Sequence, residues 1–130
     1  MNNDPSPPKQ PRVQWRFAVL QHLPRRFRFP FRLHQAGFIR NLTFPRETND
    51  RKLELSIRLA SSEEYLTETI GNREYRTRYP SVILKVPGVP HTQEIRHPRD
   101  SVFFIYDPSQ ADAMREAGLL EEPFVWECRL

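Results

Sequence analysis

Many short apolar segments and a single late helix predict a mainly β domain, a barrel or jelly roll with a short helix toward its C-terminal side. Three observations carry this reading. Prolines number 13 against 4 glycines, and proline breaks helix interiors and central ladders alike, so short elements are favoured over a helix bundle. Apolar and polar residues alternate from Lys52 to Leu59 and again from Glu74 to Tyr79, the period-two spacing of a strand with unlike faces. One stretch, residues 109–118, carries helix-capping residues around an alanine-rich interior. A chain of 130 residues suits one domain with one core.

Residues 1–14 are rich in Pro and polar side chains with little to bury, and predict a flexible arm preceding a domain over 15–130. Trp15 to Leu20 is the first apolar cluster, broken by Leu23-Pro24-Arg25-Arg26. Phe27–Leu33 and Gly37–Phe44 predict two short strands separated by His34-Gln35-Ala36. In Lys52–Leu59, Leu53, Leu55, Ile57 and Leu59 share one face, and Lys52, Glu54, Ser56 and Arg58 the other. The leucine face is expected inside and the polar face in water. Ser61-Ser62-Glu63-Glu64 predicts a loop, Tyr65–Ile70 a strand and Gly71-Asn72 a turn. In Glu74–Tyr79, Tyr75, Thr77 and Tyr79 lie opposite Glu74, Arg76 and Arg78. Val82–Val86 is a strand that ends in Pro87-Gly88; proline presets φ and glycine accepts a positive φ, so the chain reverses there. His91–Ile95 follows as a short strand, His97-Pro98-Arg99-Asp100 as a turn, and Val102–Tyr106 as a strand ending at Asp107-Pro108. Ser109 is placed to cap the helix, with Asp112 completing a capping-box-like pair and Gly118 at the left-handed C-terminal position. Phe124-Val125-Trp126 forms the last apolar segment.

Composition excludes several classes. No apolar run approaches the roughly 20 residues of a membrane span, and Pro5, Pro7, Pro8 and Pro11 interrupt any signal-peptide core. The expectation is a soluble, cytoplasmic protein without a membrane partner. A single cysteine, Cys128, allows neither an internal disulfide nor a cysteine-based zinc site. Net charge is +4, yet no acidic residue falls between Asp4 and Glu47, where nine Lys and Arg side chains lie. Such a segment is either a set of solvated arginines on strand edges or a surface for phosphate. Phe27, Phe29 and Phe31 interleaved with Arg26, Arg28 and Arg32 read as a half-buried edge strand or as a stacking platform for single-stranded nucleic acid.

Asn72-Arg73-Glu74-Tyr75, Pro80-Ser81-Val82-Ile83-Leu84 and Pro87-Gly88-Val89-Pro90-His91 together resemble the second conserved motif of cupins. More narrowly, they resemble the N-terminal sensor domain of AraC-type transcription regulators. The similarity extends through Val102-Phe103-Phe104-Ile105-Tyr106-Asp107-Pro108 and covers about residues 50–110. Departures are Pro80-Ser81 where the family has Gly-Asp, Val86 where a proline precedes Pro-Gly, and Ala60-Ser61-Ser62 in place of a Gly-rich turn. The resemblance implies a cupin-like double-stranded β-helix, or jelly-roll barrel, that binds a small-molecule effector such as a sugar or organic acid. It implies a homodimer in the full context, and contact with DNA only through a helix-turn-helix part not present in this chain. A stand-alone metal-free cupin, as a small enzyme or carbohydrate-binding protein, is the alternative, and a nucleic-acid-binding module is a third reading.

The residues narrow the chemistry. Metal-dependent cupins need a first motif with two close histidines and a carboxylate; His22, His34, His91 and His97 include no such pair. No metal and no cofactor is expected. No serine occupies a Gly-x-Ser-x-Gly turn, and recognition is expected in place of catalysis. His91 is the first candidate for a polar contact in the lumen, since a neutral imidazole both donates and accepts; its other reading is a structural histidine tied to a backbone carbonyl. Tyr75, Tyr79 and Tyr106 are candidates to add hydroxyls, or else core residues with rim-facing OH groups. Arg40, alternating with Phe38, Leu42 and Phe44, is expected to face inward and to need an anionic partner.

Overall fold

The computed structural model describes residues 12–20 and 31–129. His22, most of the arm, the break at Leu23–Arg26 and the first part of the expected strand Phe27–Leu33 lie outside the described residues. Val13 and Gln14, assigned to the arm, are placed: Val13 packs on a buried cluster and Gln14 opens the first strand.

The strands are β1 (Gln14–Val19), β2 (Leu33–Asn49), β3 (Leu53–Ser61), β4 (Tyr65–Ile70), β5 (Arg73–Arg78), β6 (Ser81–Lys85), β7 (His91–Tyr106) and β8 (Val125–Glu127). They form one antiparallel sheet, with order β1-β2-β7-β3-β6-β8 and the β4–β5 hairpin attached through β7. Strand β7 is the axis of this arrangement. Along one edge it pairs with β2; along the other it meets β4 through His91–Gln93 and β3 through Arg99–Tyr106. Among the described residues no helix is long and apolar enough to cross a membrane.

The mainly β class, the late helix and most strand positions are as the sequence predicts. Two expectations need correction. β7 is one long strand where two short strands were expected, and β2 runs through His34-Gln35-Ala36, expected to separate two strands, and on past Phe44 to Asn49. His97-Pro98-Arg99-Asp100 is not a turn but the stretch of β7 where its partner changes from β4 to β3. Proline survives there because the ladder is interrupted: pairing to β2 is irregular between the Ile95–Phe44 and Arg99–Leu42 pairs.

The two predicted turns form with the expected residues. Val89 N–H donates to the Val86 carbonyl at 3.1 Å across Pro87-Gly88, with Gly88 at φ 87°. Gly71, at φ 61°, makes the two-residue connection of the β4–β5 hairpin. After β7, Asp107 and not Ser109 caps the chain: its carboxylate accepts from Ser109 N–H at 2.9 Å. A 3₁₀ turn (Pro108–Gln110) then leads into α1 (Ala111–Glu116). The helix ends as predicted at Gly118, φ 75°, where the amides of Gly118 and Leu119 return to the carbonyls of Arg115 and Met114. Ala111 and Met114 then pack with Leu53, Val86 and Leu120 on the outer side of the sheet.

Candidate functional site

Strand β3 has the opposite orientation to that read from its pattern. Glu54, Ser56 and Arg58 are buried, Arg58 completely, while Leu59 at the far end of the leucine face is 40% exposed. Only Leu53, under α1, is a deeply buried member of that face. Alternation separates the two faces of a strand but does not say which is inside; here the sheet curls around the polar one.

The curl encloses a cavity of about 180 Å³ lined from β1, β2, β3, β6 and β7. Ile39, Leu42, Phe44, Phe103 and Ile105 supply apolar wall, and Trp15 stands at the rim, 56% exposed, with its ring edge-on to Phe103 at 6.4 Å. Glu54, Ser56, Lys85, His91, Gln93, Arg99 and Ser101 supply the polar wall. On β2 the inward side switches twice. Gln35 and Ile39 line the cavity, then Leu42 and Phe44, then Glu47 and Asn49, with register shifts between Ile39 and Leu42 and between Phe44 and Glu47. Asn41, at φ 59°, sits in the first irregularity, and such a bulge inserts a residue and reverses the facing of all that follow.

This bulge explains the placement of Arg40. Contrary to expectation it is exposed and points outward, its guanidinium 5.8 Å from the Phe38 ring, beside Arg16 in a shallow surface hollow. The remaining described arginines of the basic segment, Arg12, Arg16, Arg32 and Arg46, are exposed as well. Tyr75 and Tyr106 do not reach the cavity either. Tyr75 packs with Ile70, Ile83 and Val125, and Tyr106 with the cluster beneath the helix. Tyr79 is half-buried outside the lining; burial, reinforced by Arg58, lowers the Arg99 pKa, and the Tyr79 phenol opposes that shift. His91 is in the cavity wall, at the start of β7.

His91 belongs to a buried chain of charge. Glu68 on β4 receives Arg58 in bidentate fashion, Nη2 to Oε1 at 2.7 Å and Nη1 to Oε2 at 2.8 Å, and His91 Nε2 lies 2.7 Å from the same Oε2. Arg58 Nε donates to Ser81 Oγ at 3.1 Å. Burial alone would raise the Glu68 carboxyl, but the His91 hydrogen bond and the Arg58 cation outweigh it and hold its pKa at about 2. His91 moves below its ordinary 6.5, chiefly by burial, with Glu68 opposing and Lys85 and Arg58 reinforcing. Near neutral pH the imidazole is therefore uncharged beside an ionised carboxylate, which assigns the proton to Nε2 and leaves Nδ1 as an acceptor.

Two more cations enter the wall. Lys85 Nζ is 2.8 Å from Glu54 Oε2, and burial lowers the lysine's pKa against the pull of that carboxylate. Arg99 donates from Nη2 to Gln93 Oε1 at 3.1 Å. The Arg99 Nε and Nη1 atoms and Ser101 Oγ are buried without a hydrogen-bond partner among the described residues, as is Glu54 Oε2 apart from its ion pair with Lys85. No group of three His, Cys, Asp or Glu side chains able to hold a metal ion occurs among the described residues. Sequence reasoning missed Arg58, Glu54, Glu68, Lys85 and Arg99. Arg58 and Glu54 had been assigned to solvent, and Arg99 to a turn.

Fold and site define an antiparallel β domain whose concave face is a partly polar cavity. No family model and no curated protein matches the chain. Among solved structures it is similar to the conserved SPY1581 protein of unknown function from Streptococcus pyogenes, at 14% identity with a TM-score of 0.47, over 77% of this chain and 78% of that one. It is also similar to a mutant of the oxalate decarboxylase OxdC of Bacillus subtilis, at 13% identity with a TM-score of 0.43, over 89% of this chain. The matched region spans 38% of the decarboxylase.

Proposed function

We propose that this chain is a small-molecule-binding domain that holds an effector inside its curled sheet. The observation that supports this best is the inverted strand β3. A structural core would turn Leu55, Ile57 and Leu59 inward; this domain turns Glu54 and Ser56 toward a cavity and buries Arg58 on the same face of the strand. Burying so many polar groups is costly unless they are paired, and apolar walls with a few fixed polar groups are how small ligands are oriented. The neutral His91 and the committed Glu68 suit recognition better than proton transfer.

Within this proposal the architecture is a cupin-like jelly roll, and the domain is the sensor part of an AraC-type regulator. DNA would then be reached through other residues of a longer protein. Binding is tested by titrating sugars, organic acids and neutral amides into the Trp126→Phe protein and following Trp15, which stands at the cavity rim against Phe103. A saturable change in Trp15 emission, accompanied by a rise in Tm, is the expected result. A chemically broad panel that moves neither signal overturns the proposal.

A further inference from the structure

The buried charges do not balance, and the imbalance identifies a class of ligand. Among the described residues the two buried carboxylates are committed to cations, Glu68 to Arg58 beside His91 and Glu54 to Lys85 at ion-pair distance, while Glu47 lines the cavity from an exposed position. Among the described residues Arg99 is left with neutral partners, the Gln93 carbonyl at 3.1 Å and the nearby Tyr79 phenol, although only 4% of its surface is exposed. A guanidinium is not relieved by losing its proton, because it stays charged under all ordinary conditions. Residues 21–30 contain no Asp or Glu, and residues 1–11 contain only Asp4. The unpartnered Nε and Nη1 belong to a residue that lines the cavity, as does Ser101 with its unpartnered hydroxyl two residues along the same strand.

Resting on the reading of the cavity as a ligand site, we infer that its ligand is a small carboxylate with an apolar body, whose anionic end is received by Arg99 with help from Ser101. A planar guanidinium with free N–H groups matches the two oxygens of a carboxylate, and a hydroxyl supplies a further donor. The apolar part has its counterpart in Ile39, Leu42 and Phe103. A highly charged polyanion does not fit this site, because Glu47 and Glu54 are in the same wall, Lys85 is taken by Glu54, and Arg99 is the one buried cation without a carboxylate among the described residues.

The test is calorimetric titration of the full chain with hexanoate and benzoate, their neutral isosteres hexanamide and benzamide, and sulfate as an anion lacking an apolar body. The carboxylates are expected to bind at least about tenfold more tightly than the amides and than sulfate. Arg99→Gln should weaken the carboxylates by roughly thirtyfold or more, and leave the amides within a few-fold. Arg99→Lys, which keeps the charge but not the fork, should fall between. Amides that match the carboxylates, sulfate that matches them, or an Arg99→Gln protein with unchanged affinity would overturn the anion inference and leave the cavity reading standing. Absence of binding by every probe overturns the anion inference, and the cavity reading is then decided by the broader Trp15 titration. The carboxylate-to-amide comparison on the unaltered protein needs no variant, so it decides the matter even if Arg99→Gln does not fold.

Discussion

Replacing Glu68 by glutamine removes the carboxylate that holds both Arg58 and His91. Its pKa of about 2, against an ordinary 4.5, gives the size of the effect. At about 1.4 kcal/mol for each pH unit between those values, the ionised group contributes roughly 3 kcal/mol to stability at neutral pH. General experience with buried ion pairs agrees, since removing one partner costs about 3–5 kcal/mol and leaves the other charge stranded. Here the stranded charge is Arg58, which has no solvent exposure. The sign of the pH dependence follows from the depressed folded value. The contribution is full above about pH 4.5, where the unfolded chain is also ionised, and drains away as pH falls toward 2. His91 acts in the same direction from a higher pH: the unfolded chain takes up a proton as pH falls through 6.5, while the folded chain resists. Urea and thermal unfolding of both proteins, repeated across this range, provide the assay. Glu68→Gln should lose roughly 3 kcal/mol near pH 7, seen as a Tm lower by roughly 10 °C. Below about pH 4.5 its stability should then fall less steeply than that of the parent, which loses the Glu68 contribution as well. A loss under about 1 kcal/mol, or parallel pH profiles, refutes the network as described. Replacing Arg58 and Glu68 together by methionine should recover most of the loss, because no charge is then stranded.

Arg99→Met, read by urea melts without ligand, should raise stability by about 1–4 kcal/mol, since it removes a buried cation that lacks an anion; a loss would mean that the guanidinium is satisfied. Gly37→Val should destabilise by about 1–3 kcal/mol. A Cβ there would lie 2.5 Å from Phe103 Cζ and 2.6 Å from the Arg16 carbonyl, so Trp15 emission should shift as β1 is pushed off β2. Gly88→Ala meets no atom within 4 Å. Its cost should be confined to the left-handed backbone, about 1–2 kcal/mol by thermal melt.

Local chemistry made much of the fold legible, and the limits were local too. Turns at Gly71 and Gly88 and the helix end at Gly118 were readable because each requires a positive φ that glycine tolerates best. Strand β4 matches the expected Tyr65–Ile70 to the residue. Boundaries failed where a long strand contains proline: a strand was expected to end at Phe44, just before Pro45, and a turn at Pro98, but each proline falls in an interruption of the ladder within one strand. His91 could be placed at a strand start beyond a turn, and it is in the cavity wall. Its partner Glu68 could not be found, because their proximity depends on β4 pairing with β7 across 23 residues of sequence.

The deeper failure concerns which side of a strand is inside, and it bears on function. Apolar alternation is read on the assumption that a domain hides its hydrophobic face. Strand β3 breaks that assumption, and the bulge around Arg40–Asn41 breaks the matching assumption that facing persists along a strand. Both departures have one structural result: they turn polar groups of β3 and apolar groups of β2 toward the same space. A domain selected only for stability would gain by exchanging Glu54, Arg58 and Arg99 for well-packed hydrophobic residues, since buried ion pairs rarely outperform them. Local rules broken at considerable energetic cost are where a binding site is expected. Arg99, whose nitrogens have no carboxylate to receive them, is the point at which this cost is plainest.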